Sequence, residues 1–445
     1  MNRLDNIVVY YDGQKAGYLE RNPTSFSFRY ASAYLASKQS LPISCNLPLS
    51  EREYTSPALH SFFKGLEPQG WYKNALLNID KIESNDTFTL LGVNGLDLPG
   101  AVELAVDEHL IPAIDTTEYL TEPQQVQSYN GGVCLICLKS CKQDYHSKCL
   151  KTFFGTEKEP LIPLQRSDFN MRVYADIRRA SMSGMQVKIG VSLVDGVLLP
   201  QAVNSEYILK PAIVDLTSSA MYEHLSMKIT EKLLSSKVSE SALIKLADGS
   251  LAYLTKRFDR QSRMGKRHFE DLAQILDTDQ FSGSYQQVAE AIRTHSTPIS
   301  VGEFLFALLV QFYLGNDDFH LKNIALVDIQ INGKYRQLAP LYDCINTESL
   351  LRNMPGHSQE MAIDFFDDYE TVIYTRDGHS SFQTFELLYQ MAGMSSKLLQ
   401  THLAKINQSY ASIEKLVNGS LLCGEDKIDF LRVLDDRLKK LNKKV

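Results

Sequence analysis

The residues best suited to chemistry stand in a short polar segment that follows the most apolar stretch of the chain. This segment reads NDDFHLKN over residues 316–323, and LYD follows at 341–343. Phosphoryl transfer from ATP needs a carboxylate that accepts the hydroxyl proton, an amide oxygen that holds Mg²⁺, and a second metal-binding carboxylate. The spacing predicts Asp318 as the base, because it lies five residues before Asn323, and it predicts Asn323 and Asp343 as magnesium ligands.

A D-x4-N spacing is common in surface loops, so its interpretation as a catalytic segment depends on the residues around it. The preceding residues 304–314 are apolar apart from Gln311, a run too short to span a membrane and typical of a buried helix. The aspartate that follows a later strand strengthens the interpretation. Asp317 lies six residues before Asn323 and is the less favoured base.

Three upstream features could hold the nucleotide. A loop that reads SMSGMQVK at 181–188 could offer main-chain N–H groups to phosphates, although a single glycine matches neither the kinase nor the Walker pattern. Lys210 ends an apolar strand and could pair with the α- and β-phosphates, oriented by Glu223 on the following helix. Each feature has an ordinary alternative interpretation. The loop could be a simple turn, Lys210 could be a strand-end lysine that extends to solvent, and Glu223 could be a solvated acid.

The segment KRFDR at 256–260 closes the strand-rich part of the chain. A connector between two lobes is where adenine can meet backbone amides, and an aspartate there can bind ribose hydroxyls. The alternative interpretation is a charged loop.

Four cysteines and one histidine crowd into another short stretch. Two residues separate Cys134 from Cys137 and His146 from Cys149, and Cys141 lies between these pairs. Each pair could bind the same tetrahedral zinc ion. Structural zinc and half-buried cysteines in a reducing cytosol are the two interpretations. A catalytic role is disfavoured, because neither an open coordination position nor an activating base is implied.

The surrounding elements suggest how these residues are positioned. Strand signals dominate residues 171–260, interrupted by one helix near 219–234, and a helical pattern dominates from about residue 261. This order predicts two lobes with a cleft between them. The predicted organisation is an α+β fold with a small α/β subdomain at 1–107, a linker at 108–130, a strand-rich lobe at 131–260 and a helical lobe at 261–445.

Composition narrows the class of protein. The 445 residues include 46 basic and 53 acidic side chains, a net charge of −7, which excludes a globally basic nucleic-acid binder. Seven cysteines are few and odd in number, and the N-terminus lacks a signal sequence. We therefore expect a cytosolic protein.

Taken together and in order, the motifs resemble the HipA family of serine/threonine kinase toxins. The matching kinase segments are S-M-S-G-M-Q-V-K at 181–188, I-L-K-P at 208–211, R-F-D-R at 257–260, N-D-D-F-H-L-K-N at 316–323 and L-Y-D at 341–343. The matching N-terminal segments are G-Y-L at 17–19, L-P-I-S-C-N-L-P-L at 41–49, F-F-K-G-L-E-P at 62–68 and L-L-G-V-N-G-L-D-L-P-G-A-V at 90–102. The resemblance covers nearly the whole chain.

This resemblance implies a two-lobed, protein-kinase-like fold that binds Mg-ATP in its cleft. It assigns Asp318 as the base, Asn323 and Asp343 as metal ligands, His320 as an orienting residue and Lys210 as the phosphate lysine. The further nucleotide contacts that it implies are Ser183, Gly184, Met185, Gln186, Val187 and Lys188 in the phosphate loop, Lys256, Arg257 and Phe258 at adenine, Asp259 at ribose, and Lys322 and Tyr342.

The resemblance also implies partners and regulation. Known family targets are aminoacyl-tRNA synthetases, and the expected partner is a HipB-like helix-turn-helix antitoxin, through which the complex would bind operator DNA. Autophosphorylation of the phosphate loop is implied as an off-switch, at Ser181 or Ser183, with Ser181 favoured.

Two departures from the family pattern stand out. Lys256 replaces a residue that is often acidic, and the serines before Gly184 are more similar to the HipT branch, in which the N-terminal subdomain is a separate protein. Here that subdomain is fused, so it could restrain the kinase in cis. One alternative to a toxin kinase is a pseudokinase that acts as a co-repressor scaffold, which the intact Asp318, Asn323 and Asp343 disfavour. The other is a small-molecule kinase.

Overall fold

The computed structural model describes most of the chain and shows the expected α+β architecture. The described residues are 3–69, 73–74, 76–78, 81–106, 132–169, 187–201, 204–261, 265–354, 360–367 and 378–443. The linker expected at 108–130 and the first six residues of the loop at 181–188 lie outside them.

The N-terminal part of the chain forms an antiparallel sheet with its own hydrophobic cluster. Its strands are β1 (Asn6–Tyr11), β2 (Gln14–Arg21), β3 (Phe26–Tyr30), β4 (Tyr54–Ser56) and β5 (Val102–Ala105), in the order β4-β3-β2-β1-β5. The helices are α1 (Ser32–Ala36), α2 (Ser61–Gly65) and α3 (Thr87–Asn94). We call residues 3–105 the N-terminal unit.

Local residue choice explains two features of this unit. Asp12 and Gly13 have φ values of 47° and 76°, as the two-residue turn of a tight hairpin requires, and they join β1 to β2. Helix α2 begins at Ser61, because the His60 ring accepts a hydrogen bond from the Phe62 amide and caps the helix there.

A second antiparallel sheet forms the strand-rich lobe. Its strands are β6 (Ile189–Val194), β7 (Val197–Pro200), β8 (Tyr207–Pro211), β9 (Ser241–Lys245) and β10 (Leu251–Lys256), in the order β7-β6-β8-β10-β9. Helix α4 (Ser147–Phe154) precedes the sheet, and α5 (Ser219–Leu234) connects β8 to β9, with the bounds that the sequence predicts. All five strands are short and the sheet has two edges, at β7 and β9.

The remaining elements form a mainly helical lobe. Its helices are α6 (Leu272–Leu276), α7 (Tyr285–His295), α8 (Pro298–Leu314), α9 (Thr347–Leu350), α10 (Phe382–Met391), α11 (Ser396–Asn418) and α12 (Gly424–Asn442). Short strands β11 (Arg260–Gln261) and β12 (Gly265–Lys266) pair with each other, and β13 (Phe269–Asp271), β14 (Ala325–Ile329) and β15 (Tyr335–Leu338) form a three-stranded sheet.

The central helix of this lobe is α8, which contains the apolar run noted in the sequence. It begins at a Thr297 side-chain cap with Pro298 in its first turn, and it is buried along most of its length. It ends where Gly315 adopts a left-handed conformation (φ 74°), and the polar segment 316–323 follows directly. Across the described parts of the chain, no helix is both long and apolar enough to span a bilayer.

Candidate active site

A buried lysine connects the two lobes. Lys210 in β8 donates to Glu223 Oε1 at 2.7 Å and to Asp343 Oδ1 at 2.6 Å. The side chains of Lys210 and Glu223 are 6% and 5% exposed. Burial opposes the charged form of Asp343, but the ammonium group of Lys210 outweighs it and lowers the pKa of Asp343 to about 2. An ionised carboxylate therefore lies between the lobes, where it can bind a cation.

Hydrogen bonds within the segment hold residues 316–323 in one shape. The amide of Asp318 donates to Asn316 Oδ1 at 3.1 Å, and Asn323 Nδ2 donates to the main-chain oxygen of Asp318 at 2.8 Å. With Nδ2 engaged in this way, Oδ1 is the atom of Asn323 suited to a metal ion. The spacing of five residues between Asp318 and Asn323 thus corresponds to a direct contact.

The Asp318 carboxyl is exposed, and its surroundings raise its pKa. Its side chain is 54% exposed, as a base that must reach a substrate requires. Partial burial, aided by the negative charges of Asp343 and Asp317, raises the pKa of Asp318 to about 6. A carboxylate with such a pKa is ionised at neutral pH, yet it binds a proton more strongly than an ordinary aspartate does.

His320 supports the same loop as a neutral ring. Its Nε2 lies 3.9 Å from Asp318 Oδ1, and its ring packs edge to face on Phe281 with centroids 5.1 Å apart. Burial lowers the pKa of His320 to about 4. The imidazole is therefore uncharged at neutral pH, and it can orient Asp318 without neutralising its charge.

The hinge presents an aromatic pair. The ring of Phe258 stacks on Tyr342, with centroids 5.6 Å apart and planes inclined by 26°. The amides of Lys256 and Arg257 donate to carbonyl oxygens of neighbouring segments. These bonds engage the amides and not the carbonyl oxygens, so the assignment of Lys256, Arg257 and Phe258 to adenine stays a prediction.

Asp259, which the resemblance assigns to ribose, is held by two arginine side chains and a main-chain amide. Its carboxylate accepts from Arg257 Nε and Nη2 at 3.0 and 2.9 Å, from Arg260 Nη1 at 2.7 Å, and from the Gly100 amide at 3.0 Å. Burial opposes ionisation, but the two guanidinium groups hold the pKa of Asp259 far below its ordinary value. Both oxygens are engaged in a buried ion cluster, which gives this residue a structural role, and the assignment of Asp259 to ribose stays a prediction.

The same cluster includes an acid from the N-terminal unit that sequence reasoning missed. Asp97 accepts from Arg257 Nη1 at 2.9 Å and from Arg260 Nη2 at 2.7 Å, and its side chain is 2% exposed. The available signal was an acidic residue within an otherwise apolar run at 96–99. We call Asp97, Arg257, Asp259 and Arg260 the hinge cluster, because they join the N-terminal unit to the hinge.

Lys322 forms a second contact with the N-terminal unit. Its Nζ donates to the main-chain oxygen of Gly65 in the N-terminal unit at 3.3 Å, and its own main-chain oxygen accepts from Tyr342 Oη at 2.6 Å. Burial lowers the pKa of Lys322. The N-terminal unit therefore contacts both the hinge and the segment 316–323.

Only the end of the expected phosphate loop is described. Lys188 is half-buried, and burial lowers its pKa to about 8, while the charge of Asp343 acts in the opposite direction. Val187 packs against the core of the strand-rich lobe. The loop residues that lie outside the described part are Ser181, Met182, Ser183, Gly184, Met185 and Gln186.

The cysteines and histidine singled out in the sequence come together away from this cleft. One ligand atom from each of Cys134, Cys137, His146 and Cys149 lies within 4.8 Å of the others. These four residues are outside the catalytic segment, and the arrangement is compatible with a metal ion.

Family models match both parts of the chain. The HipA N-terminal domain model matches residues 7–105, and the HipA-like C-terminal domain model matches residues 180–415, which is more than half of the chain. The two matches fall on the N-terminal unit and on the two lobes that flank the cleft.

Individual relatives are distant. A kinase candidate named Y4mE from Sinorhizobium fredii is 23% identical over 371 residues, which cover 80% of this chain and 79% of the relative. A kinase candidate from Haemophilus influenzae is 28% identical over 204 residues, 42% of this chain, and the chain spans only 58% of that relative.

One solved structure shares the whole fold. A chain of the HipA, HipB and operator DNA complex, a toxin–antitoxin system of Shewanella oneidensis MR-1, superposes with a TM-score of 0.68. The match covers 98% of this chain and 97% of that one, at 17% sequence identity. The two-lobed, kinase-like α+β fold is therefore shared.

Proposed function

Because this chain belongs to the HipA family, we propose that it is a protein kinase that transfers the γ-phosphoryl group of Mg-ATP to a serine or threonine of another protein. One observation carries the proposal: a buried Lys210–Glu223 pair, the ionised Asp343 and the segment with Asp318 and Asn323 converge on one cleft. Catalysis of phosphoryl transfer depends mostly on positioning and charge stabilisation, which these residue types supply.

Each residue has a distinct task in this proposal. Asp318 accepts the proton of the substrate hydroxyl, and the neutral His320 keeps its carboxylate oriented. Asn323 Oδ1 and Asp343 would hold Mg²⁺, an oxygen-ligand set that suits this hard cation. Bound magnesium would neutralise charge on the phosphates.

Lys210 is poised to exchange partners. It now spans Glu223 and Asp343. With nucleotide bound, Lys210 would pair with the α- and β-phosphates while Glu223 keeps its ammonium group in place. Lys188 and Lys322 add positive charge near the same position, and the stacked rings of Phe258 and Tyr342 offer an apolar surface for adenine.

The biological setting of the proposal is a toxin–antitoxin system. The solved structure that shares the fold is a complex of HipA with HipB and operator DNA. By analogy, we expect this chain to bind a helix-turn-helix antitoxin and to contact operator DNA through it. An aminoacyl-tRNA synthetase is the substrate class that the family suggests.

Labelling with a thiophosphate analogue of ATP tests the proposal. We expect the wild-type protein with Mg²⁺ to transfer thiophosphate to a protein of the host lysate and to its own phosphate loop at Ser181 or Ser183. A variant with Ser181→Ala and Ser183→Ala should lose the self-label and keep the lysate label. Absence of any protein label, with nucleotide and antitoxin binding retained, would favour the pseudokinase scaffold.

The proposed base predicts a pH profile. Because the pKa of Asp318 is about 6 and the base must be ionised, we expect kcat/KM to fall about tenfold per pH unit below about pH 6. It should be level up to about pH 7, above which Lys188, with a pKa of about 8, begins to lose its charge. His320, with a pKa of about 4, adds no step in this range. Steady-state rates between about pH 5 and 8 measure the profile. The residual activity of Asp318→Asn should lack the step, and an identical step in that variant would assign it to another group.

A further inference from the structure

The cysteine and histidine side chains of the strand-rich lobe have the geometry of a metal site. Cys137 Sγ lies 3.4 Å and Cys149 Sγ lies 3.8 Å from His146 Nδ1. Zinc bonds of about 2.3 Å to sulfur and about 2.0 Å to nitrogen, at tetrahedral angles, place the ligand atoms about 3.5–3.8 Å apart. The two distances from His146 Nδ1 therefore match those between the ligands of one ion, and all four ligand atoms lie within 4.8 Å of one another.

The imidazole of His146 is turned so that the correct nitrogen faces the sulfurs. Its Nε2 lies 3.1 Å from the main-chain oxygen of Ser140 and donates to it. This bond puts the proton on Nε2 and leaves the Nδ1 lone pair toward the cysteines, as second hydrogen bonds of metal-binding histidines generally do. The His146 amide also donates to Cys134 Sγ at 3.4 Å.

The local fold explains why two short sequences meet. Leu138, directly after Cys137, adopts a left-handed conformation (φ 55°), and the amides of Cys134 and Cys141 donate to the main-chain oxygens of Lys139 and Gly132. This tight turn positions the first pair of ligands, Cys134 and Cys137. Helix α4 starts directly after His146, which places Cys149 in its first turn.

We propose that Cys134, Cys137, His146 and Cys149 bind one zinc ion with a structural role. Three thiolates and one imidazole complete a tetrahedron and leave no open position for a substrate or water, which distinguishes structural from catalytic zinc sites. Cys141 lies in the same segment but outside the set of four ligand atoms.

The metal site would stabilise a segment that covers β9, an edge strand of the second sheet. Leu135 accepts from the amide of Leu243 in β9 at 2.8 Å, and Tyr145 Oη donates to the Leu243 main-chain oxygen at 3.0 Å. A buried ion pair between Asp144 and Lys245 lies alongside. β9 is an edge strand, and the zinc segment (132–154) satisfies hydrogen-bonding groups that an edge otherwise exposes.

The metal ion would therefore stabilise the strand-rich lobe and not only the segment that binds it. β9 pairs with β10, and β10 runs directly into the hinge. Without a metal ion, the zinc segment would be held on β9 by the contacts of Leu135, Tyr145 and Asp144 described above. Bound zinc would also join the two halves of the segment around one ion. Because zinc binds the folded form far better than the unfolded chain, its binding free energy adds to folding stability.

Metal analysis tests the inference without any kinase assay, so it can fail independently of the proposed function. Protein purified without added metal should contain one zinc per chain by elemental analysis, and a strong chelator should lower its melting temperature. The matched variants are Cys149→Ser, which should lose the zinc, and Cys141→Ser, which should keep it. A zinc content near zero in the wild type, with melting unchanged by chelator, would overturn the proposal.

Cobalt substitution covers the case in which Cys149→Ser fails to fold. Wild-type protein loaded with Co²⁺ should show the visible absorption of a tetrahedral cobalt–thiolate centre, and added zinc should remove it stoichiometrically. Cys141→Ser should give the same spectrum as the wild type. A spectrum without thiolate bands, or one that Cys141→Ser abolishes, would contradict the assigned ligand set.

Discussion

Asp318→Asn is expected to lower the rate of phosphoryl transfer by about 10²–10⁴ while leaving the affinity for Mg-ATP nearly unchanged. Asparagine keeps the shape of the side chain but cannot accept the hydroxyl proton. The groups proposed to bind nucleotide, including Lys210 and Asp343, do not depend on this carboxylate for their contacts with each other. Single-turnover kinetics together with a direct nucleotide-binding measurement would separate the two effects.

Two neighbouring aspartates serve as controls. Asp317→Asn changes the adjacent residue and should retain most of the activity, because Asp317 is not expected to be the base. Asp343→Asn should behave differently from both, because it weakens Mg-ATP binding as well as turnover. If Asp317→Asn abolished transfer while Asp318→Asn remained active, the assignment of the base would move to Asp317.

Asp97→Asn is expected to lower the free energy of unfolding by about 3–5 kcal/mol. The substitution removes one carboxylate from the hinge cluster and leaves the buried guanidinium groups of Arg257 and Arg260 to share Asp259. Breaking one side of a buried ion cluster costs far more than the net value of the cluster, since the remaining charge is poorly solvated. Chemical denaturation of the purified protein measures the loss.

An exposed ion pair provides the comparison. Lys151 and Glu157 are 71% and 66% exposed, so Glu157→Gln should cost less than about 1 kcal/mol. The pKa of Asp97 is lowered in the folded protein by Arg257 and Arg260, against the effect of burial. The stabilisation from Asp97 is therefore complete above about pH 4, near the ordinary pKa of an aspartate, and is lost as the pH falls further. Equal losses in Asp97→Asn and Glu157→Gln would contradict the buried-cluster argument.

Sequence spacing anticipated contacts between residues that are near one another in the chain. The five-residue interval between Asp318 and Asn323 corresponds to a hydrogen bond, and the paired spacings of the zinc segment correspond to four ligand atoms in one place. Helix α5 was also predictable, because its pattern and its ends lie within one continuous stretch. In each case the interacting groups are near one another in the chain.

Contacts between distant parts of the chain explain what sequence reasoning missed. For Asp259, sequence reasoning did not anticipate that the carboxylate pairs with neighbouring arginines and with the Gly100 amide, 159 residues away. Asp97 reaches Arg257 across 160 residues. No periodicity or local spacing encodes such a pairing, because it depends on how the N-terminal unit docks.

The docking of the N-terminal unit on the hinge and on Lys322 has a consequence for how the contact responds to dilution. When both surfaces belong to one polypeptide, their ratio is fixed at one to one, and tethering typically gives an effective concentration on the order of millimolar. The contact therefore persists at any level of expression, and a weak surface suffices where two separate chains would need a tight one. In a fused chain, the occupancy of the Gly65–Lys322 contact depends on the strength of the interface and on the tether, and the abundance of the protein does not enter.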